Sequence, residues 1–179
     1  FARTHKVLTS TSYLVHRLTG RFVIDHYSAA NSSPLYLPDR LAYSDALAND
    51  IIALDKLPEP VWTTDIAGTV TQRAAEETGL AAGTPVIAGT IDAAAEALSV
   101  GVLKPGDMML MYGSTIFIIE ITPRRVADSR LWYAPWLFPG QHASMSGLAT
   151  SGTLTHWFRH QFARELDPEM AVVTLTREA

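Results

Sequence analysis

The chain has 179 residues, with 14 basic and 18 acidic side chains and a net charge of −4 when histidine is neutral. Apolar residues make up 47% and charged residues 18%, a globular composition rather than a disordered one. The acidic balance without a basic stripe excludes a chain whose main task is gripping nucleic acid, and the lack of cysteine excludes disulfide scaffolds, Cys-ligated zinc, iron–sulfur clusters and thiol catalysis.

Residues 4–18 read as a helix, with Val7, Tyr13, Leu14 and Leu18 recurring at helical spacing and Gly20 in the place of a C-terminal cap. Residues 22–24 form a strand candidate, and residues 25–43 are rich in turn formers. Ser44 caps a predicted helix reaching Ala53, with Pro58 and Pro60 beyond its end. Residues 68–70 read as a short strand and 72–78 as a helix stopped by Gly79. The apolar run 86–88 reads as a buried strand, after which Asp92 opens an alanine-rich helix ending near Gly101.

Past residue 104 the alternation of helix and strand gives way to consecutive strands. Residues 108–112 and 116–121 predict a hairpin turning on Gly113-Ser114-Thr115. Two further strands are expected at 131–137 and 143–148. A helix then starts at Ser151 or Gly152, with Leu154, Trp157, Phe158 and Phe162 on one face. Residues 167–179 read as a last helix. The change of character near Lys104 predicts a boundary between a unit of residues 1–103 and one of residues 104–179. The apolar run 108–121 is interrupted by the turn and by Glu120, so no segment reaches the roughly 20 residues of a membrane helix. No signal peptide is recognisable, and both ends read as cut, as in an internal piece of a longer protein.

Four constellations could carry chemistry. In the first, residues 86–92, a strand delivers Asp92 to the start of a helix. Ligands of open α/β sheets gather at such strand ends, and a carboxylate there can take a proton from a hydroxyl. The alternative is a plain helix N-cap. In the second, Gly113-Ser114-Thr115 offers hydroxyls and backbone N–H groups to an anion, or is an ordinary hairpin turn. The third, residues 149–152 entering a helix, suits an anion or is a serine cap. The fourth is the pair His156 and His160, at i and i+4. No third metal ligand lies nearby, so no metal site is expected, and surface or ligand-adjacent histidines are the favoured reading.

Taken in order, these pieces resemble the FGGY family of carbohydrate kinases, whose members include xylulokinase, ribulokinase, gluconokinase and glycerol kinase. The residues carrying the resemblance are Leu18-Thr19-Gly20-Arg21, the Asp-x-x-Ser-Ala-Ala segment at 25–30, and Gly-Leu-x-x-Gly-Thr-Pro-Val at 79–86. They continue through Ala-Gly-Thr-Ile-Asp-Ala at 88–93, Gly101-Val102, Pro105-Gly106-Asp107 and the Gly-Ser-Thr hairpin. The resemblance implies an α/β protein of the actin-like ATPase, ribonuclease-H-like fold, with parts of two such domains here: the end of a sugar-binding domain and the start of a nucleotide-binding one.

It also implies a cytoplasmic, ATP- and Mg²⁺-dependent transfer of the γ-phosphate to a sugar hydroxyl, a pentulose such as xylulose being the first expectation. Asp92 matches the family's base, with Thr90 beside it toward the sugar. Gly113, Ser114 and Thr115 match the phosphate-contacting hairpin, Gly152 a glycine near the phosphates, and His156 a polar position near the nucleotide. Expected partners are the sugar and ATP, without nucleic acid or membrane, and with a homodimer of the parent protein as a further expectation. A non-catalytic sugar- or nucleotide-binding module of the same fold is the alternative. Two departures stand out. Many members read Gly-Thr-Ser in the hairpin, and many xylulokinases carry a glycine run where Thr90 and Ile91 stand, a version closer to some ribulokinases.

Overall fold

The computed structural model describes residues 3–48, 51–167 and 170–178. Helix α1, Ser10–Thr19, begins where the Thr9 hydroxyl accepts the Ser12 N–H and stops at Gly20 in the left-handed region, φ 78°. It starts later than predicted, and it packs through Ser12 and Val15, leaving Tyr13 and Leu14 largely exposed. Strand β1, Val23–Asp25, is buried throughout and pairs in parallel with β4, Glu59–Val61. Pro58 and Pro60 thus flank and enter a strand rather than only ending a helix. Pro60 brings no N–H, a lack tolerated on an edge strand.

Between β1 and β4 lie the short helix α2, His26–Ala29, the hairpin of β2, Tyr36–Leu37, and β3, Ala42–Tyr43, and the helix α3, Asp45–Ala48. The helix expected to reach Ala53 is shorter: α3 ends at Ala48, residues 49 and 50 lie outside the described residues, and residues 51–53 form a turn and an irregular stretch rather than helix. Strand β5, Ile66–Thr69, pairs antiparallel with β6, Pro85–Ile87. The connection holds α4, Gln72–Thr78, capped by the Thr71 hydroxyl and closed by Gly79 at φ 78°. The expectation of a buried run at 86–88 is met only by Ala88. Ile87 is 50% exposed, because β6 has a single hydrogen-bonded neighbour among the described residues. Helix α5, Asp92–Ser99, follows.

The rest of the chain forms a four-stranded antiparallel sheet in the order β7-β8-β10-β9. Strands β7, Met108–Tyr112, and β8, Ile116–Thr122, form the expected hairpin, with Tyr112 opposite Ile116. Strand β9 spans Trp132–Pro135 and β10 His142–Leu148. Helices α6, Gly152–Phe162, and α7, Ala171–Glu178, come last.

The largest core joins the two halves. Ala94 and Ala97 of α5 and Val102 pack with Met109, Ile119, Ile121, Ala143, Met145, Trp136 and Leu137. Tyr27 of α2 enters the same core, donating its hydroxyl to Met145 Sδ at 2.9 Å and meeting the Trp136 ring edge-on at 5.6 Å. Each large apolar side chain so buried contributes roughly 1.5–3 kcal/mol. This packing fixes α5, and with it Asp92, against the sheet that carries the hairpin.

Candidate active site

The approach to Asp92 is built from a strand end and a pinned loop. After β6 the chain turns at Gly89, whose φ is 69°. A Cβ there would lie 3.2 Å from Thr11 Cγ2, so the bare backbone suits both the turn and the packing on α1. The Gly89 N–H donates to Thr63 O at 3.1 Å, and the Thr11 hydroxyl donates to Thr90 O at 3.0 Å. Ile91 is the N-cap of α5 and Asp92 its first helical residue, so Asp92 is not the capping side chain that one reading of the sequence allowed. Its Oδ1 accepts the Ala93 N–H at 2.8 Å, and the side chain is exposed. An acid in the first turn is favoured by the helix dipole. Its exposure leaves a carboxylate oxygen open to a ligand, which general-base chemistry requires.

A second carboxylate stands behind it. Asp25 closes β1 and is only 2% exposed. Its Oδ2 accepts the Thr90 hydroxyl at 2.9 Å and the Thr63 hydroxyl at 3.2 Å. Burial raises its pKa above the ordinary carboxylate value, opposed by the Thr90 and Thr63 hydroxyls and by the hydroxyl and N–H of Ser28, which face the same carboxylate. The phenol of Tyr27 lies within the field of Asp25 and Asp92. Burial first, then those two charges, push its pKa upward, keeping it a neutral donor. Thr90, matched from the sequence to a sugar contact, has its hydroxyl proton committed to Asp25. Sequence reading passed over Asp25 as a functional group. The available signal was that it, like Asp92, is an acid at the end of an apolar strand.

The hairpin turn and the start of α6, two separate constellations in the sequence, are one structure. The Ser151 N–H donates to Ser114 O at 2.8 Å and the Gly152 N–H to Gly113 O at 2.9 Å. A Cβ on Gly152 would lie 2.7 Å from Gly113 O, so only glycine lets the helix approach this closely. The Gly113 N–H turns back to Thr115 O at 2.9 Å. These backbone donors are therefore spent inside the motif. The exposed Ser114 and Thr115, with their hydroxyl and N–H groups, are what the turn presents outward. His156 is exposed one turn along α6, and its carbonyl accepts from His160 Nδ1 at 2.7 Å.

Ile91 and Ala93, on either side of Asp92, line a cavity of about 590 Å³ shared with Tyr27, Asn31, Trp132 and Tyr133. Among the described residues no group of three His, Asp or Glu side chains could hold a metal ion, and no helix is long and apolar enough to cross a membrane.

A family model described as "FGGY family of carbohydrate kinases, N-terminal domain" matches residues 1–99. The autoinducer-2 kinase of Yersinia enterocolitica is 29% identical over 157 residues, covering 87% of this chain and 30% of that protein. Among solved structures, xylulose kinase from Rhodospirillum rubrum superposes with a TM-score of 0.86 at 32% identity, over 96% of this chain and 35% of that one. Gluconate kinase from Lactobacillus acidophilus has a TM-score of 0.84 at 18% identity, a likeness of fold alone, over 100% of this chain and 37% of that one. The chain thus spans about a third of the length of the relatives it matches. With the strand-end acid, the glycine-packed hairpin and these likenesses in agreement, the chain belongs to the FGGY family of carbohydrate kinases and has the family's actin-like, ribonuclease-H-like ATPase fold.

Proposed function

We propose that this chain is the central part of an ATP-dependent sugar kinase, in which Asp92 accepts the proton of the sugar hydroxyl that attacks the γ-phosphate. The single observation that carries the reading is the exposed carboxylate of Asp92 at the head of α5, on a loop pinned by Thr11 and Thr63. A binding-only relative could lose the base, and this chain keeps a carboxylate there, which favours the catalytic reading over the non-catalytic alternative.

Phosphoryl transfer needs in-line positioning, charge neutralisation and a group that orients the nucleophile. Asp92 serves the last need. Ser114 and Thr115 are, in this reading, the groups that donate hydrogen bonds to the phosphate oxygens. Gly152 acts by letting α6 close on the hairpin, and His156 stands near the nucleotide. Thr90 faces the sugar with oxygen lone pairs only, since its proton goes to Asp25. Mg²⁺ bound with ATP would supply charge neutralisation. The described residues offer it no cluster of their own, so it would be carried on the phosphates with residues from elsewhere in the protein.

The proposed boundary stays near Lys104, with residues 1–103 on the sugar side and 104–179 on the nucleotide side. Gly101 and Gly106, with φ of 89° and 96°, interrupt regular structure at this boundary, while α5 stays packed on the sheet that carries the hairpin. The favoured substrate is a pentulose, xylulose first, in line with the likeness to xylulose kinases. The autoinducer-2 kinases, 29% identical, favour a second candidate, the signal for which they are named.

The test is coupled ADP release by the full-length kinase carrying this segment, with D-xylulose, D-ribulose, L-ribulose, glycerol and autoinducer-2. Turnover is expected with a pentulose and should fall about 10²–10⁴-fold in Asp92→Asn. Turnover with none of them, or an unchanged rate in the variant, would overturn the proposal.

A further inference from the structure

Asp25 is a buried acid with no cationic partner among the described residues, and the phosphoryl-transfer reading gives it no direct part. At 2% exposure it cannot meet a sugar or a nucleotide. Yet one of its oxygens gathers hydroxyls from two distant stretches, Thr63 past β4 and Thr90 in the loop before α5. An isolated buried carboxylate is costly, and hydrogen bonds to its charged form offset part of that cost. A serine or valine at this place would avoid the cost altogether. What Asp25 provides in return is an anchor on the residue two positions before Asp92.

We infer that Asp25 is a positioning residue, which acts through the Thr90 hydroxyl to hold the backbone that aims Asp92. This rests on the reading of Asp92 as the base. The anchoring is three-sided. Asp25 holds the Thr90 side chain, Thr11 holds the Thr90 carbonyl, and Thr63 O holds the Gly89 N–H. These grips come from β1, α1 and the turn after β4, so the loop is located against three elements rather than by its own turn geometry. Asp92 itself has no such side-chain partner. Among the described residues its only side-chain hydrogen bond is to the adjacent Ala93 N–H, so its direction is inherited from the backbone behind it. A hydrogen bond to a charged group is stronger than a neutral one, which suits a carboxylate rather than an amide for this anchor.

The experiment uses the full-length kinase with sugar and ATP varied separately. Thr90→Val removes the donor at constant shape. It should lower kcat about 10- to 100-fold while KM for ATP stays within about twofold, because a displaced base costs rate rather than nucleotide binding. Thr90→Ser, which restores the hydroxyl, should recover most of kcat. Asp25→Ala should lower kcat in the same way, and Asp25→Asn, which keeps an acceptor oxygen, should lower it less. In the double variant Asp25→Ala/Thr90→Val the losses should not multiply, since both break one link.

If Thr90→Val and Asp25→Ala lower the melting temperature but leave kcat intact, the pair is structural and the inference falls. It falls equally if the two losses multiply, the pattern expected if Thr90 acts on the sugar independently of Asp25. Should Asp25→Ala fail to fold, the contrast of Thr90→Val with Thr90→Ser and Asp25→Asn decides alone. Asp92→Asn is run in parallel. If it keeps the parental rate, the base reading fails and takes the inference with it. If it loses rate while Thr90→Val does not, only the inference is lost.

Discussion

Gly152→Ala tests the joint between the hairpin and α6 with a single methyl group. Gly152 does not sit in the left-handed region, so alanine meets no backbone strain there, and the effect is steric. The added Cβ would stand 2.7 Å from Gly113 O, against an ordinary contact of 3.4 Å or more. Helix and turn must therefore separate by about 0.7 Å, since the obstacle is backbone rather than a flexible side chain. That movement stretches the Gly152 N–H bond to Gly113 O and the Ser151 N–H bond to Ser114 O, now 2.9 and 2.8 Å. Overpacking of this kind costs about 1–3 kcal/mol, and alanine's better helix propensity returns at most about 1 kcal/mol. A net loss of about 1–2 kcal/mol is expected by denaturant unfolding. In the full-length kinase kcat/KM for ATP should fall about 10- to 100-fold, with the sugar KM within about twofold, because Ser114 and Thr115 shift and Asp92 does not. A variant of parental stability and ATP dependence would show that the close approach of helix and turn has no part in placing the nucleotide.

Asp92→Asn should lower sugar-dependent ADP release by about 10²–10⁴-fold and leave the melting temperature almost unchanged, the side chain being exposed and not the helix cap. Asp25 should make stability depend on pH. Burial raises its folded pKa above the unfolded value, so the folded state holds the proton more tightly. Its contribution is then fully present below the unfolded pKa of about 3.9 and lost as pH rises through the higher folded value. Urea unfolding between pH 3.5 and 7 should therefore show the parent losing stability relative to Asp25→Asn as pH rises. Parallel curves would refute this. The 179-residue chain on its own should lack sugar phosphorylation, checked by ADP release. It should also self-associate in sedimentation at rising concentration, because Leu148, Trp157 and Phe162 are 61%, 51% and 65% exposed. Robust turnover by a monomer would refute the placement of half the site elsewhere.

Legibility in the sequence followed the range of the interactions. Helix α4 was read to the residue, because the Thr71 cap and the Gly79 stop act within one turn of its ends. The β7–β8 hairpin was equally plain, since three residues join two apolar runs and dictate their register. The strand-end setting of Asp92 followed from the short apolar run before it. Other features needed the folded chain. The parallel pairing of Val23 with Glu59 crosses a stretch whose prolines spoke against a strand there. Residues 13 and 14 of α1 looked apolar enough for a core, yet Ser12 and Val15 are what β1 and β5 leave room to bury.

The site divides along the same line. Which residues carry hydroxyls, carboxylates or no side chain is written in the sequence, and so is their order. That Gly152 is needed for its missing Cβ, and that its N–H is occupied by the hairpin rather than offered to an anion, depends on a contact across 39 positions. The tie between Asp25 and Thr90 spans 65 positions. Local spacing specifies helices, caps and turns because their hydrogen bonds close within a few residues. Tertiary packing alone decides which distant donors and acceptors meet, and so which polar groups remain free to meet a ligand.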